Sequence, residues 1–131
     1  MSTMSIHPEG WKPAKGYANG VVGEGRVLFV GGQIGWTAAQ VFEAQDFVGQ
    51  TRQALRNVAD VVRAAGGEVT DITRLTWYVT DKQEYLANLK GVGEAYREVM
   101  GKSFPAMALV QVAALVEDRA KVEIETTAVV G

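Results

Sequence analysis

The sequence predicts an α+β fold in which two helices pack on one face of a mixed β-sheet. Two segments with helical spacing of apolar residues alternate with segments rich in β-branched and aromatic residues, in the order strands, helix, strand, helix, two strands. A chain of 131 residues buries one substantial hydrophobic core rather than two. We therefore expect a single domain over residues 1–131, with an irregular arm at residues 1–15.

The first elements are a strand and a long helix. A short strand is expected near residues 18–22, within a stretch rich in glycine. Residues 26–30 are β-branched and aromatic and run into Gly31 and Gly32, which indicates a strand ending at a close backbone approach. From Phe47 onward the apolar residues recur with helical spacing until Gly66, where a C-terminal cap is expected.

A second strand and a second helix follow. Residues 72–79 are dense in strand formers and alternate between two faces. Asp81 and Glu84 have the spacing of a capping box, and apolar residues then continue with helical period to Gly101. One helix is therefore predicted between Asp81 and Gly101.

The last two strands differ in their pattern. In residues 107–116 both the odd- and the even-numbered positions are mostly apolar, which is typical of a strand covered on both faces. In residues 121–130 polar and apolar side chains alternate. The two helices can cover only one face of the sheet. The remaining face calls for another copy of the chain, packed sheet to sheet in a closed homo-oligomer.

Composition excludes several classes of function. A net charge of −2 provides no excess of cations for neutralising phosphates, so nucleic-acid binding is not expected. No apolar run approaches the roughly 20 residues of a membrane span, and the N-terminus lacks the pattern of a signal peptide. With no cysteines as well, a cytoplasmic protein without membrane association is expected.

The single histidine, His7, cannot form a Ser-His-Asp arrangement or a two-histidine metal site within one chain, so chemistry without metal or cofactor is favoured. Glu123 and Glu125 lie on one side of the last predicted strand. They form either a solvated face of an edge strand or a site where one of them orients or deprotonates a water. Residues 31–34 at a strand end form either an anion-binding group of backbone N–H donors or a bulge.

Five motifs, taken together, resemble the RidA (YjgF, L-PSP endoribonuclease-like) family. They occur in register between about residues 15 and 129: residues 16–20 (GYANG), 29–34 (FVGGQI), Gln50 with 64–67 (AAGG), 104–106 (FPA) and 122–125 (VEIE). The resemblance implies a chorismate-mutase-like fold and a homotrimer whose sheets form a central barrel. It also implies small-molecule clefts between neighbouring subunits and hydrolysis of reactive enamines or imines without a cofactor.

The resemblance also implies site residues. Tyr17 corresponds to the tyrosine of the cleft, and Gly31 to a serine that precedes Gly-Gln in many members. Gly31 and Gln33 therefore join Tyr17 as candidate substrate-binding residues. Glu123 corresponds to the glutamate that orients the attacking water, and it is the candidate catalytic residue.

Two positions depart from the pattern of deaminase members. Met107 stands where an arginine that holds the substrate carboxylate is expected, and Leu109 where a cysteine is frequent. A thioether cannot form a bidentate, charge-assisted pair, whose loss costs about 1.5–3 kcal/mol. With Met107 and Leu109 as candidate substrate-binding residues, we expect a more apolar pocket and an altered substrate.

Three functions follow from the sequence. The first is an imine or enamine hydrolase whose substrate lacks the usual carboxylate recognition. The alternative is a non-catalytic homotrimer that binds a small metabolite in the same cleft. RNA cleavage is the least favoured, because the chain has neither a histidine pair nor a basic surface.

Overall fold

A computed structural model describes residues 3–131, within which six strands and three α-helices alternate. A short 3-10 turn lies at Val69–Asp71. The predicted α+β class is confirmed. The elements in chain order are β1 (Thr3–Ile6), β2 (Gly20–Gly23), β3 (Arg26–Ile34), α1 (Phe47–Ala64), β4 (Ile72–Val79), α2 (Lys82–Ala87), α3 (Leu89–Met100), β5 (Ala106–Gln111) and β6 (Val122–Val130).

The main sheet has the strand order β3-β6-β4-β5. β6 pairs antiparallel with both β3 and β4, while β4 and β5 are parallel. The interpretation of the last strand as an edge strand was therefore wrong, because β6 lies inside the sheet. The two edges are β3 and β5, on opposite sides of the molecule.

A second, two-stranded sheet is formed by β1 and β2, with Thr3 opposite Gly23 and Ile6 opposite Gly20. The expectation of an irregular arm over residues 1–15 was wrong for residues 3–6, while residues 1 and 2 lie outside the described residues. Four mostly exposed residues carry no periodic pattern. Their extended conformation depends on pairing with β2, which a local reading of the sequence does not reveal.

Helices α1 and α3 pack together on one face of the main sheet, as predicted. The core between α1 and the sheet contains fully buried side chains from both layers, among them Leu55, Val58, Leu75, Val122 and Ile124. Asp46 caps α1 by accepting from the Gly49 N–H at 3.1 Å, and Gly66 ends the helix with φ +88°. No helix within residues 3–131 has both the length and the apolar character needed to cross a membrane.

The second predicted helix is divided at Asn88 into α2 and α3. Asp81 caps α2 by accepting from the Gln83 N–H at 2.9 Å, but Glu84 pairs with the Lys121 ammonium at 3.1 Å. At Asn88 the backbone leaves helical geometry (φ −123°, ψ 25°), and its side chain donates to the Glu84 carbonyl at 2.7 Å. Side chains that bond to a nearby backbone carbonyl compete with the helix, so the helix is interrupted at Asn88 and α3 begins at Leu89.

β5 is shorter than predicted, because the strand ends at Gln111 and the chain continues in an irregular loop to β6. Buried Gln50 satisfies the backbone at the end of this loop. Its Nε2 donates to the Arg119 carbonyl at 3.0 Å, and its Oε1 accepts from the Lys121 N–H at 2.8 Å. The apolar character of residues 112–116 therefore does not mark a strand.

Candidate functional site

The predicted site residues fall into two groups on opposite faces of the main sheet. Met107 lies opposite Leu75 in the strand register, on the face covered by helices. Glu123 lies opposite Tyr78, on the other face. Because neighbouring strands are about 4.8 Å apart and β4 separates β5 from β6, the two groups do not meet within one chain.

The first group is built around the half-buried Glu123 on β6. The register of β3 against β6 shifts between Val30 and Gln33, so the glycines at 31 and 32 form a bulge, one of the two structures the sequence allowed. A Cβ on Gly32 would lie 2.0 Å from Glu123 Oε2, whereas a Cβ on Gly31 would meet no atom within 4 Å. Glycine at 32 thus lets the carboxylate lie against β3, with open space above Gly31.

Gln33 supports the bulge from within. Its Nε2 donates to the Gly31 carbonyl at 3.2 Å, and the side chain is half-buried. In the strand register Gln33 lies opposite Ile124, whereas Ile34 lies opposite Glu123. Its role in substrate binding stays a prediction.

Glu125, on the same face as Glu123, is already engaged. The Tyr78 hydroxyl donates to Glu125 Oε1 at 3.2 Å. Desolvation of the phenol, together with the charge and hydrogen bond of Glu125, raises the pKa of Tyr78. Glu123 makes no side-chain hydrogen bond or ion pair within residues 3–131, so its carboxylate oxygens are available to a water or a ligand.

The second group lines a cavity of about 540 Å³ between β5, helices α2 and α3, and the segment at residues 15–17. The structure brings Tyr17, Met107 and Leu109 together here. Met107 and Leu109 are half-buried and pack against the core, while Tyr17 is 44% exposed. This volume is in the usual range for small-molecule sites.

Three stacked aromatic rings form part of the wall of this cavity. Tyr96 stacks on Phe104 with ring centroids 5.4 Å apart, and on Trp77 at 6.5 Å. The Tyr96 hydroxyl donates to the Ser103 carbonyl, and burial raises the pKa of this phenol. The phenol is therefore neutral and held in place at physiological pH.

Two cations at the cavity were not identified from the sequence: Lys15 and Arg97. Both are exposed, and Arg97 makes no ion pair or side-chain hydrogen bond with any residue between 3 and 131. A Cβ on Gly93, one helical turn earlier, would lie 3.4 Å from Arg97 Nη1. The Gly93/Arg97 spacing was the available signal, but its meaning depends on which side of α3 faces the cavity.

His7 and the acidic residues of the described part of the chain are not gathered in one cluster. Between residues 3 and 131, no three His, Asp or Glu side chains gather closely enough to hold a metal ion. His7 is exposed, with Nε2 2.9 Å from the Trp11 carbonyl and Nδ1 3.2 Å from Asn19 Nδ2. The described residues offer an unpaired carboxylate at Glu123 and an apolar cavity with Lys15 and Arg97 in its lining.

Sequence comparison assigns relatives to the chain. A family model described as Endoribonuclease L-PSP matches residues 9–130. A 2-iminobutanoate/2-iminopropanoate deaminase from Salmonella typhimurium is 37% identical over 105 residues, which cover 80% of each chain. A RutC family protein from Pasteurella multocida is 34% identical over 127 residues, covering 97% of this chain and 98% of the relative.

Solved structures agree with this assignment. YyfB of Yersinia pestis, from the conserved Rid protein family, has a TM-score of 0.89 at 32% identity, covering 99% of this chain and 100% of YyfB. E. coli TdcF, solved with bound serine, has a TM-score of 0.69 at 33% identity, covering 98% and 99%. Because the family model spans nearly the whole chain and the fold agrees with those of Rid proteins, the chain belongs to the endoribonuclease L-PSP family, also called RidA or YjgF.

Proposed function

We propose that this protein hydrolyses a reactive imine or enamine without a cofactor, in clefts between the subunits of a homotrimer. The observation that carries the proposal is the half-buried, unpaired carboxylate of Glu123, which lies against Gly32 of the β3 bulge. The deaminases among the relatives favour the same reaction class.

Hydrolysis of a C=N bond needs a water, a base and a proton carrier. Glu123 takes a proton from the attacking water as its oxygen bonds to the imine carbon. Glu123 delivers this proton to the nitrogen, which gives a carbinolamine. It then takes the hydroxyl proton of the carbinolamine and passes it to the amino nitrogen, so that the C–N bond breaks, the C=O bond forms, and the products are a carbonyl compound and ammonia. A positioned carboxylate in this role contributes about 10²- to 10⁴-fold to the rate.

The positions of the two groups support a site completed by a second copy. Gly31 lies on edge strand β3 and Met107 on the opposite edge strand, β5. In the proposed ring, the Glu123 face of one copy, near its β3 edge, packs against the cavity beside the β5 edge of the next copy, so the Glu123 group adjoins the neighbour's cavity. Phe29 on β3 is 78% exposed and Val110 on β5 is 45% exposed, apolar surface that such a contact would cover.

The cavity residues favour a substrate other than the small 2-imino acids for which the relatives are named. Met107 and Leu109 present apolar surface where charge and a thiol are expected for deaminase members. An apolar lining adds affinity for an apolar side chain on the substrate. It adds none for a small carboxylate.

Ammonia release tests the proposal. Imines and enamines, including 2-aminoacrylate, are generated enzymatically and supplied to the purified protein, to Glu123→Ala and to Glu125→Ala. Glu125 is the matched control, because it lies on the same face of β6 two residues away and is bound to Tyr78. We expect Glu123→Ala to lose the acceleration and Glu125→Ala to retain most of it. Equal rates with and without Glu123 would remove the proposal.

A non-catalytic metabolite-binding trimer is the second candidate, and the observation that favours it is Met107 at the position of the carboxylate-binding arginine. Ligand-dependent increases in Tm without ammonia release from any imine tested would support this function. Turnover that is abolished by Glu123→Ala would reject it.

A further inference from the structure

We infer that Arg97, with Lys15 beside the same entrance, binds the carboxylate of a substrate whose body is bulky and apolar, such as an aryl or branched aliphatic group. The inference rests on the proposed function in taking the cavity for the ligand site. It assigns to α3 the carboxylate recognition that Met107 cannot supply.

The charges around the cavity are of one sign. Lys15 and Arg97 are the charged residues of the lining, and no acidic side chain lines it within residues 3–131. Elsewhere on the helical layer, arginines are paired: Arg52 and Arg56 both contact Glu98, the residue next to Arg97. Arg97 is left without such a partner, so its planar guanidinium is free for a carboxylate.

Gly93 makes room for this guanidinium. Glycine is unfavourable within a helix, yet here it lies one turn before Arg97, and the space of its missing side chain borders Nη1. Long side chains on helices point back over the preceding turn. The guanidinium therefore lies along the cavity wall next to Gly93 rather than above the helix surface.

The size and lining of the cavity determine what kind of group the ligand carries besides its carboxylate. Its floor is formed by apolar groups of the core, including Trp77, Val92 and Leu109. A volume of about 540 Å³ exceeds what a two- or three-carbon acid fills. A carboxylate held at the α3 wall leaves the surface of Met107 and Leu109 to an apolar side chain.

The test uses probes that contain no C=N bond: 3-phenylpropionate, its neutral amide 3-phenylpropanamide, and propionate. Affinities are measured by calorimetry with the full chain, at low ionic strength to limit screening. We expect 3-phenylpropionate to bind about 10-fold more tightly than either its amide or propionate. In Arg97→Gln, the preference for acid over amide should fall to about 2-fold or less.

Arg119→Gln is the matched control, since it removes the same charge from an exposed arginine that does not line the cavity. It should keep the full preference for the acid, and Lys15→Gln should lower it by a smaller factor than Arg97→Gln. Equal binding of acid and amide by the wild-type protein would overturn the inference, as would an unchanged preference in Arg97→Gln.

Failure of this inference differs from failure of the proposed function. Preference for the acid without ammonia release from any imine would remove the hydrolase and keep the carboxylate site. Ammonia release that depends on Glu123, without any preference for the acid, would do the opposite.

Discussion

The two edges of the main sheet carry different and complementary functional groups. On the β3 side, Glu123 offers an unpaired carboxylate beside a glycine bulge. On the β5 side, the cavity offers apolar depth and two cations, but no acid among its described lining residues. A base is useful only beside a bound substrate. Under the proposed function, reactivity therefore depends on contact between copies of the chain.

Subunit mixing should produce the largest effect. Glu123→Gln and Tyr17→Ala each damage a different half of the proposed cleft, so each protein alone should be nearly inactive. When the two variants are co-expressed and assemble at random into rings, the mixture should regain about a quarter of the wild-type ammonia release. That share of clefts receives an intact Glu123 from one subunit and an intact Tyr17 from its neighbour.

The control for mixing combines Glu123→Gln with the double variant Glu123→Gln/Tyr17→Ala, which can supply no intact acid. That mixture should stay inactive. A first mixture no more active than its components would show that both halves serve from one protomer.

Two neighbouring glycines at the β3 edge test whether activity depends on the position of the Glu123 carboxylate. Gly32→Ala places a methyl group against the Glu123 carboxylate, which must move, and we expect roughly a 10- to 100-fold loss of kcat for this displacement. Gly31→Ala projects into open space and should retain most of the activity. Steady-state ammonia release, with Tm as a check on folding, separates the two. Equal losses would mean that the position of the carboxylate is not what matters.

Met107→Arg alters the cavity side. A guanidinium on β5 should raise kcat/KM for 2-iminobutanoate by about 10-fold through a charge-assisted pair. Because Met107 packs against the core, the same change should lower the free energy of unfolding by about 1–3 kcal/mol. Met107→Leu is the control, and it should change neither quantity much. An unchanged kcat/KM in Met107→Arg would show that position 107 does not contact the carboxylate.

Alkaline pH should affect the two faces unequally. The folded-state pKa of Tyr96 is raised by burial, and that of Tyr78 is raised less, by desolvation and Glu125, from an ordinary value of 10.0. A raised pKa means that this stabilisation is present below pH about 10 and is lost as the pH rises further. Urea unfolding between pH 9 and 11 should show a decline that is flattened more in Tyr96→Phe than in Tyr78→Phe. The reverse order would contradict the burial of Tyr96.

Elements with strong internal patterns could be predicted from the sequence. The helix from Phe47 and the strand over residues 72–79 were found because burial on one face imposes a period that local residues record. The strand Thr3–Ile6 and the break at Asn88 depend instead on pairing partners and side-chain hydrogen bonds. No periodic pattern reports such interactions.

The candidate site divided in the same way. Glu123 and the cavity residues Tyr17, Met107 and Leu109 were identified through motifs at fixed positions of a resemblance. Arg97 was not predicted, because its place in the lining of the cavity depends on how α3 is rotated against the sheet. Helical spacing in a sequence shows which residues share one face of a helix, but not which part of the fold that face contacts.

Buried Gln50 links the core to the position of the candidate catalytic residue, Glu123. Its amide holds the backbone at Arg119 and Lys121, immediately before β6 begins. Successive side chains of a strand alternate sides, so slippage by a single residue would turn Glu123 inward and Ile124 outward. A side chain with no solvent exposure thus helps to decide on which side of the sheet the acid emerges.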